Sequence, residues 1–191
     1  MNKKTQSNTQ LQHDNNALDQ STLSTITAAT NIGGDICVLV AGSGCKSVAD
    51  EAASVAGVSK VLMADNEAYA NGIAENVCEL VEKNLDGITH ILASSTNSGK
   101  NVLPRLSAKL DAAQISDITG VTSEDTFERA CYAGNAITKV QTSDTLKLLT
   151  VCFLFVSFLF SLSYAFTDKR YASRYVERHL RRLLRREEAV L

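Results

Sequence analysis

The sequence lacks the residue patterns that mark the common catalytic and metal sites. Its five cysteines form no CxxC pair, its three histidines show no metal-ligand spacing, and neither GxSxG nor HExxH occurs. An odd number of cysteines without a secretory leader is typical of a reducing compartment. We therefore predict no catalytic residues, no metal ligands and ordinary packed thiols.

Charge is distributed unevenly along the chain of 191 residues. Residues 1–147 contain 11 basic and 17 acidic side chains, residues 148–166 contain none, and residues 167–191 contain 8 basic and 4 acidic ones. A single fold with a uniform surface does not usually divide its charge in this way. The length suits one domain with an appendage, and we predict that residues 152–191 are that appendage.

The N-terminal residues 1–12 are polar and show no apolar periodicity, so we predict that they are disordered. They lack the apolar core of a signal peptide. They also match a mitochondrial transit peptide only poorly.

Apolar periodicity in the following residues predicts alternating helices and strands. The predicted helices are 17–30, 45–56, 71–85 and 99–110, and the predicted strands are 36–41, 58–64, 88–93, 115–121, 127–133, 136–141 and 146–151. Alternation followed by a run of strands predicts an α/β sandwich whose sheet is mostly parallel, with antiparallel strands at one side. Within it, the unit Ile88–Val121 predicts a functional edge where 94–101 meets a helix, and Pro104 is expected near the first turn.

One glycine-rich turn of this pattern could bind an anion. Gly42, Ser43 and Gly44 follow a strand and open a helix, where backbone N–H groups favour negative charge. The third glycine of a GxGxxG fingerprint would fall at Ser47, so the motif is incomplete. A tight structural turn is the favoured interpretation.

A second candidate loop contains Ser98, Gly99 and Lys100. A P-loop would need glycine at Ser94 and a hydroxyl residue at Asn101, and both are missing. We therefore expect no NTP hydrolysis. The favoured interpretation is a helix-capping loop that touches a partner or a vestigial nucleotide pocket.

The histidines suggest no catalytic triad. His90 lies in a predicted strand with no second histidine nearby, so we predict a hydrogen-bonded core or edge residue. His13 and His179 stand in segments of very different composition.

The segment Leu148–Phe166 is 19 residues long, uncharged and long enough to span a membrane. It could be a tail anchor, or its first residues could form the last strand of the domain, or the tail could arise from alternative splicing or an erroneous gene prediction. Five of the six phenylalanines lie in it, which favours the second and third interpretations together. The basic segment Tyr171–Leu191 predicts an amphipathic helix that could bind a membrane surface or nucleic acid, or a solvated helix without a particular function. For the chain as a whole we expect no nucleic-acid partner.

Four segments together resemble the α subunit of the electron transfer flavoprotein. They are LSTITAATNIGGDICVLVAGSGC, THILASSTNSGKNVLPRLSAKL, the ISDI that starts at Ile115 and the YAGNA that starts at Tyr132. They match the N-terminal domain of that family in order and spacing over about 13–151. GKNVLPR and YAGNA are the specific pieces.

The resemblance implies a three-layer sandwich related to adenine-nucleotide-binding, Rossmann-like folds, which holds no cofactor itself. It also implies a C-terminal domain that binds FAD against a β subunit carrying a structural AMP. The complete heterodimer would take electrons from acyl-CoA and other dehydrogenases to a membrane ubiquinone oxidoreductase, in the mitochondrial matrix.

Two departures limit what the resemblance carries over. Polar Asn8–Gln12 replaces the apolar first strand of the family, and Cys152-Phe-Leu-Phe follows Val151 where the family continues towards its flavin domain, so we expect that domain to be absent. No FAD-contacting residue of the family can therefore be assigned to a position here. We expect an electron-carrier fragment that serves only subunit packing. The alternatives are a stand-alone nucleotide-binding or regulatory module and a membrane-tethered variant.

Overall fold

A computed structural model of the chain describes residues 6–10 and 18–153. The helices are α1 Gln20–Ile32, α2 Lys46–Ser54, α3 Ala74–Glu82 and α4 Asn97–Leu110, with short 3-10 helices at Glu67–Tyr69 and Tyr132–Gly134. The strands are β1 Gln6–Gln10, β2 Asp35–Gly42, β3 Val58–Asp65, β4 His90–Ser94, β5 Gln114–Val121, β6 Thr126–Cys131, β7 Ala136–Gln141 and β8 Lys147–Val151. The predicted alternation of helices and strands is thereby confirmed.

The described strands form one sheet in the order β3-β2-β1-β4-β8-β5-β6-β7. Pairing is parallel from β3 to β5 and antiparallel between β5, β6 and β7, as the sequence predicts. The crossover through α4 does not join neighbouring strands, however, because β8 lies between β4 and β5.

The predicted disorder of residues 1–12 is wrong for Gln6–Gln10, which form a strand inside the sheet. This strand pairs with β2 on one side and with β4 on the other. Main-chain hydrogen bonds to two neighbours satisfy the backbone whatever the side chains are, and so a polar sequence can occupy this position. Residues 1–5 and 11–12 of the segment lie outside the described residues.

Helices cover the parallel part of the sheet on both faces, which gives the three layers. One core cluster joins α1 and α2 to the sheet through Ile26, Ala28, Ala29, Val48, Ala52, Val38, Val40, Leu92 and Leu149. The other joins α3 and α4 to the opposite face through Val77, Cys78, Val81, Val102, Leu103, Leu106, Leu39, Ile91 and Leu148. Adjacent residues of one strand, such as Ile91 and Leu92, serve opposite layers because side chains alternate along a strand.

The helix boundaries follow from local capping. The Asp19 carboxylate accepts a hydrogen bond of 2.8 Å from the Ser21 N–H at the start of α1, and Gly33, with φ of 89°, ends that helix. Thr96 caps α4, which begins at Asn97 and therefore places Pro104 in its interior instead of near its first turn. Pro104 lies on the exposed side of the helix, where the carbonyl that loses its N–H partner is close to solvent.

Strand β5 changes direction halfway along. Asp117 has a left-handed backbone, with φ of 57°, and the pairing with β8 shifts register between Ile115 and Ile118. The turn after β5 consequently returns towards the start of β4, where the Glu124 carbonyl lies 2.7 Å from His90 Nε2. The base of the β6–β7 hairpin therefore covers part of the parallel sheet, and Phe127 is buried there.

The apolar segment that could span a membrane begins inside the domain. Leu148–Val151 belong to β8 and are buried, as the second interpretation of this segment predicts. Among the residues that the structure describes, no helix is long and apolar enough to cross a membrane. The predicted continuation to Phe166 and the basic segment Tyr171–Leu191 lie outside those residues.

The cysteines behave as packed thiols in the described part of the chain. Cys45 and Cys78 are buried, while Cys37, Cys131 and Cys152 are half-buried, and all five are free. Burial raises the pKa of the Cys37, Cys45 and Cys78 thiols, which disfavours the reactive thiolate.

Candidate functional site

The two candidate anion loops lie at the same edge of the sheet. Gly42–Gly44 follows the carboxyl end of β2, and Ser98–Lys100 lies in the first turn of α4, just after β4. Strand β1 separates β2 from β4. In open α/β sheets this edge, near a change in strand order, is where ligands commonly bind.

An internal carboxylate occupies the Gly42–Gly44 turn. The Gly44 N–H donates a hydrogen bond of 2.8 Å to Oδ1 of Asp65, the last residue of β3. Gly44 has a φ of 68°, so it is a position that favours glycine for conformational reasons. The negative group at this turn is therefore supplied by the chain itself.

The loop before α4 is also held by groups of the same chain. The Thr96 hydroxyl caps the helix by accepting from the Gly99 N–H at 3.4 Å. Lys100 Nζ lies 3.2 Å from Asp117 Oδ1, and the Ser95 hydroxyl donates to the same carboxylate. Both charged side chains of this pair are about half exposed, so their attraction stabilises the fold only modestly.

Asp117 is the centre of this network, and the sequence patterns did not point to it. Its N–H donates a hydrogen bond of 2.7 Å to the hydroxyl of Thr150, which is fully buried in β8. The left-handed backbone of Asp117 is thus fixed between β8, the Ser95 loop and Lys100. The one available signal was an acidic residue inside a predicted strand, within ISDI.

Gly99 is required by packing between α4 and β4. A Cβ built on Gly99 would overlap the carbonyl oxygen of Ser94 and lie 3.3 Å from the Ala93 Cβ. These are backbone and core atoms that cannot move aside cheaply. The glycine that suggested a P-loop is therefore explained by the close approach of a helix to a strand.

His90 is a core residue, as predicted. It is 2% exposed, its Nε2 faces the Glu124 carbonyl, and its Nδ1 lies 2.8 Å from the Thr89 hydroxyl. Because a carbonyl only accepts, the ring donates from Nε2, and in the neutral ring Nδ1 is then the acceptor. Burial lowers the pKa of His90, which favours this neutral form. His13 and His179 lie outside the described residues.

No group of three or more potential metal ligands occurs among residues 6–10 and 18–153.

A depression of about 220 Å³ lies at the opposite edge of the sheet from the loops, next to Asp35, Lys60 and Lys83. Pockets that bury ligands of moderate size usually measure roughly 300–1,000 Å³, so this depression is smaller than a typical ligand pocket.

The described residues do not fit the flavin that the resemblance implies. At the carboxyl edge the Gly44 N–H is taken by Asp65, and the space beside Gly99 is filled by the Ser94 carbonyl. The depression at the other edge is too small for a dinucleotide.

Fold and edge together define a class: a three-layer α/β sandwich of the Rossmann-like type, in which Asp65 binds the Gly44 N–H and Asp117 pairs with Lys100 at the carboxyl edge. Residues 9–152 match the family model described as "Electron transfer flavoprotein domain". The chain therefore belongs to the electron transfer flavoprotein family.

The curated relatives of the chain carry the name of one subunit of that family. The chain is 54% identical over 140 residues to the electron transfer flavoprotein subunit alpha of Pseudomonas aeruginosa, covering 73% of this chain and 45% of that protein. It is 45% identical over 148 residues to the mitochondrial subunit alpha of Dictyostelium discoideum, covering 73% and 42%. The subunit alpha of Paracoccus denitrificans is 41% identical over 137 residues, covering 72% and 44%. The chain thus spans less than half the length of these relatives.

Proposed function

We propose that this chain is the N-terminal domain of an electron transfer flavoprotein α subunit and that it acts by packing against the β subunit. The observation that carries the proposal is the family match over residues 9–152, together with identities of up to 54% to proteins named as α subunits. In the complete heterodimer the function would be to carry electrons from acyl-CoA and other dehydrogenases to a ubiquinone oxidoreductase.

In this role the chain contributes to the structure of an electron carrier, as a fragment of its α subunit, and does not act as an enzyme. Its support is that the chain covers 45% of the Pseudomonas relative, that Asp65 binds the Gly44 N–H and that the Ser94 carbonyl fills the space beside Gly99. FAD would belong to the other part of the α subunit. The mitochondrial matrix is the proposed location by resemblance, although bacterial relatives match as well.

Co-purification of the chain with the β subunit tests this proposal. We expect a one-to-one complex in size-exclusion chromatography with light scattering, and no flavin absorption from the chain alone. Absence of a complex would remove the packing role. A flavin spectrum from the isolated chain would contradict the assignment of FAD to the part of the α subunit that the match does not cover.

A second candidate function is a stand-alone nucleotide-binding or regulatory module. Its support is that Gly42–Gly44 and Ser98–Lys100 stand at the same, carboxyl edge of the sheet. Calorimetric titration with AMP and ATP tests it, using the wild type and Asp65→Asn, which removes the charge that competes at Gly44. Heat of binding in either protein would favour this function, and its absence in both would eliminate it.

A third candidate is a membrane-tethered variant held by Leu148–Phe166. Because Leu148–Val151 are part of β8, only the later residues of this segment would be free to enter a bilayer. Carbonate extraction of cell membranes tests the idea. Recovery of the chain in the soluble fraction would rule it out.

A further inference from the structure

The β6–β7 hairpin extends beyond the helical layers of the domain. Only Phe127 and Val140, at its base, belong to or pack against a described core cluster. Residues 136–139 of β7 are exposed, and β7 is the last strand of the sheet. We call residues 129–138 the wing, and none of its residues belongs to a described core cluster.

The tip of the wing holds large apolar side chains in solvent. Tyr132 is 84% exposed and Ile137 is 59% exposed, more than any other large hydrophobic residue described. Tyr132, Ala133 and Gly134 all have positive φ, and the Asn135 N–H and Nδ2 both donate to the Tyr132 carbonyl, at 3.1 and 2.9 Å. The tip is therefore a defined turn that presents an aromatic ring, and tyrosine is a frequent hot-spot residue of interfaces.

A polar group of the wing also lacks a partner. The Nε of Arg129 is buried and has no hydrogen-bond acceptor in the described structure. A buried donor without an acceptor is costly, and a carboxylate or carbonyl from another chain would satisfy it. Arg129 pairs with Thr138, and Ile137 pairs with Ala130, so Arg129 and Ile137 lie on opposite faces of the wing. A partner that meets both groups must enclose the wing.

We propose that the wing docks into the β subunit, in an apolar cleft that offers an oxygen acceptor to Arg129. This inference rests on the proposed function, because it names the surface through which that packing occurs. The relatives of this chain are named as one subunit, alpha, and this favours a different subunit over a second copy as the occupant.

The affinity of the complete chain for the β subunit, measured by calorimetric titration, tests this docking surface. We expect the double variant Tyr132→Ala/Ile137→Ala to bind about 10-fold more weakly or worse, because exposed aromatic anchors dominate interface energies. Met63→Ala is the matched control, since Met63 is also a large exposed apolar residue (49%) but lies in β3, at the other end of the sheet. It should bind within about 2-fold of the wild type.

The possible outcomes distinguish a failure of the proposed function from a failure of the docking surface alone. If the wild type does not bind the β subunit, both the proposed function and the docking surface fail. If the wild type binds and the double variant binds equally well, only the docking surface fails. If the wild type self-associates without the β subunit and the double variant does not, the occupant is a second copy and the choice of the β subunit is wrong. Thermal melting of each variant confirms that the fold is intact.

Discussion

Gly99 offers the sharpest test of how α4 sits on the sheet. In Gly99→Ala the new methyl group would overlap the Ser94 carbonyl oxygen and lie 3.2 Å from the Ser94 carbonyl carbon. Overpacking of this kind costs about 1–3 kcal/mol, and rigid backbone neighbours place this site at the upper end. Alanine recovers about 1 kcal/mol of helix propensity relative to glycine. The net loss in free energy of unfolding should therefore be about 2 kcal/mol.

Urea denaturation followed by circular dichroism measures this loss. With a slope of about 1–3 kcal/mol per molar urea, the midpoint should fall by roughly 1 M. Ser98→Ala is the neighbouring control in the same turn and should change stability by about 0.5 kcal/mol or less. A Gly99→Ala variant as stable as the wild type would refute the close approach of α4 to β4. The glycine would then need another explanation, such as an anion at the helix N-terminus.

Other expected outcomes concern the core and two titrating groups. Leu103→Ala should cost about 2–5 kcal/mol in urea denaturation because Leu103 is 1% exposed, whereas Lys109→Ala, which breaks an exposed ion pair with Glu82, should cost about 1 kcal/mol or less. Burial lowers the pKa of His90 from 6.5, so the unfolded state binds more protons below that pH. The free energy of unfolding should therefore fall between about pH 7.5 and about pH 5, and less so in His90→Asn. Hydrogen bonds from Ser123, Gln141 and Thr126 lower the pKa of Asp125 to about 2. A carboxyl NMR titration should find that value and a higher one in Thr126→Val, and the contribution of Asp125 to stability should disappear as the pH falls from 3.8 through 2.

The parts of the fold with strong local signals were predictable from the sequence. The apolar run of β4 is buried on both faces, and the spacing of Val102, Leu103 and Leu106 forms the buried face of α4. These signals are local, because a strand buried on both sides and an amphipathic helix each show their period within a few residues. Strand β1 escaped prediction because its sequence is polar and has no apolar period, whereas its position in the sheet is defined by main-chain pairing with β2 and β4.

The candidate site was less predictable because its contacts join distant parts of the chain. Asp65 reaches Gly44 across 21 residues, and Asp117 is held by Thr150 across 33 residues. Such pairs depend on strand order, and the placement of β8 between β4 and β5 has no local signal. Gly42–Gly44 precedes α2 as predicted, whereas Ser98–Lys100, predicted as a loop, lie in the first turn of α4. The groups that contact these residues, Asp65 and Asp117, are distant from them in sequence, so a search for local patterns does not find them.

The position of β8 has a consequence for how the domain is made. This strand is the common neighbour of β4 and β5, yet it is the last strand of the sheet to leave the ribosome. Until it emerges, the parallel part and the bent strand with its hairpin each have an open edge, the kind of edge that invites pairing with other chains. A nascent chain that stalls before Lys147 would hold two half-sheets without the strand that pairs with both. Cellular yield should therefore depend on synthesis proceeding promptly through this final strand.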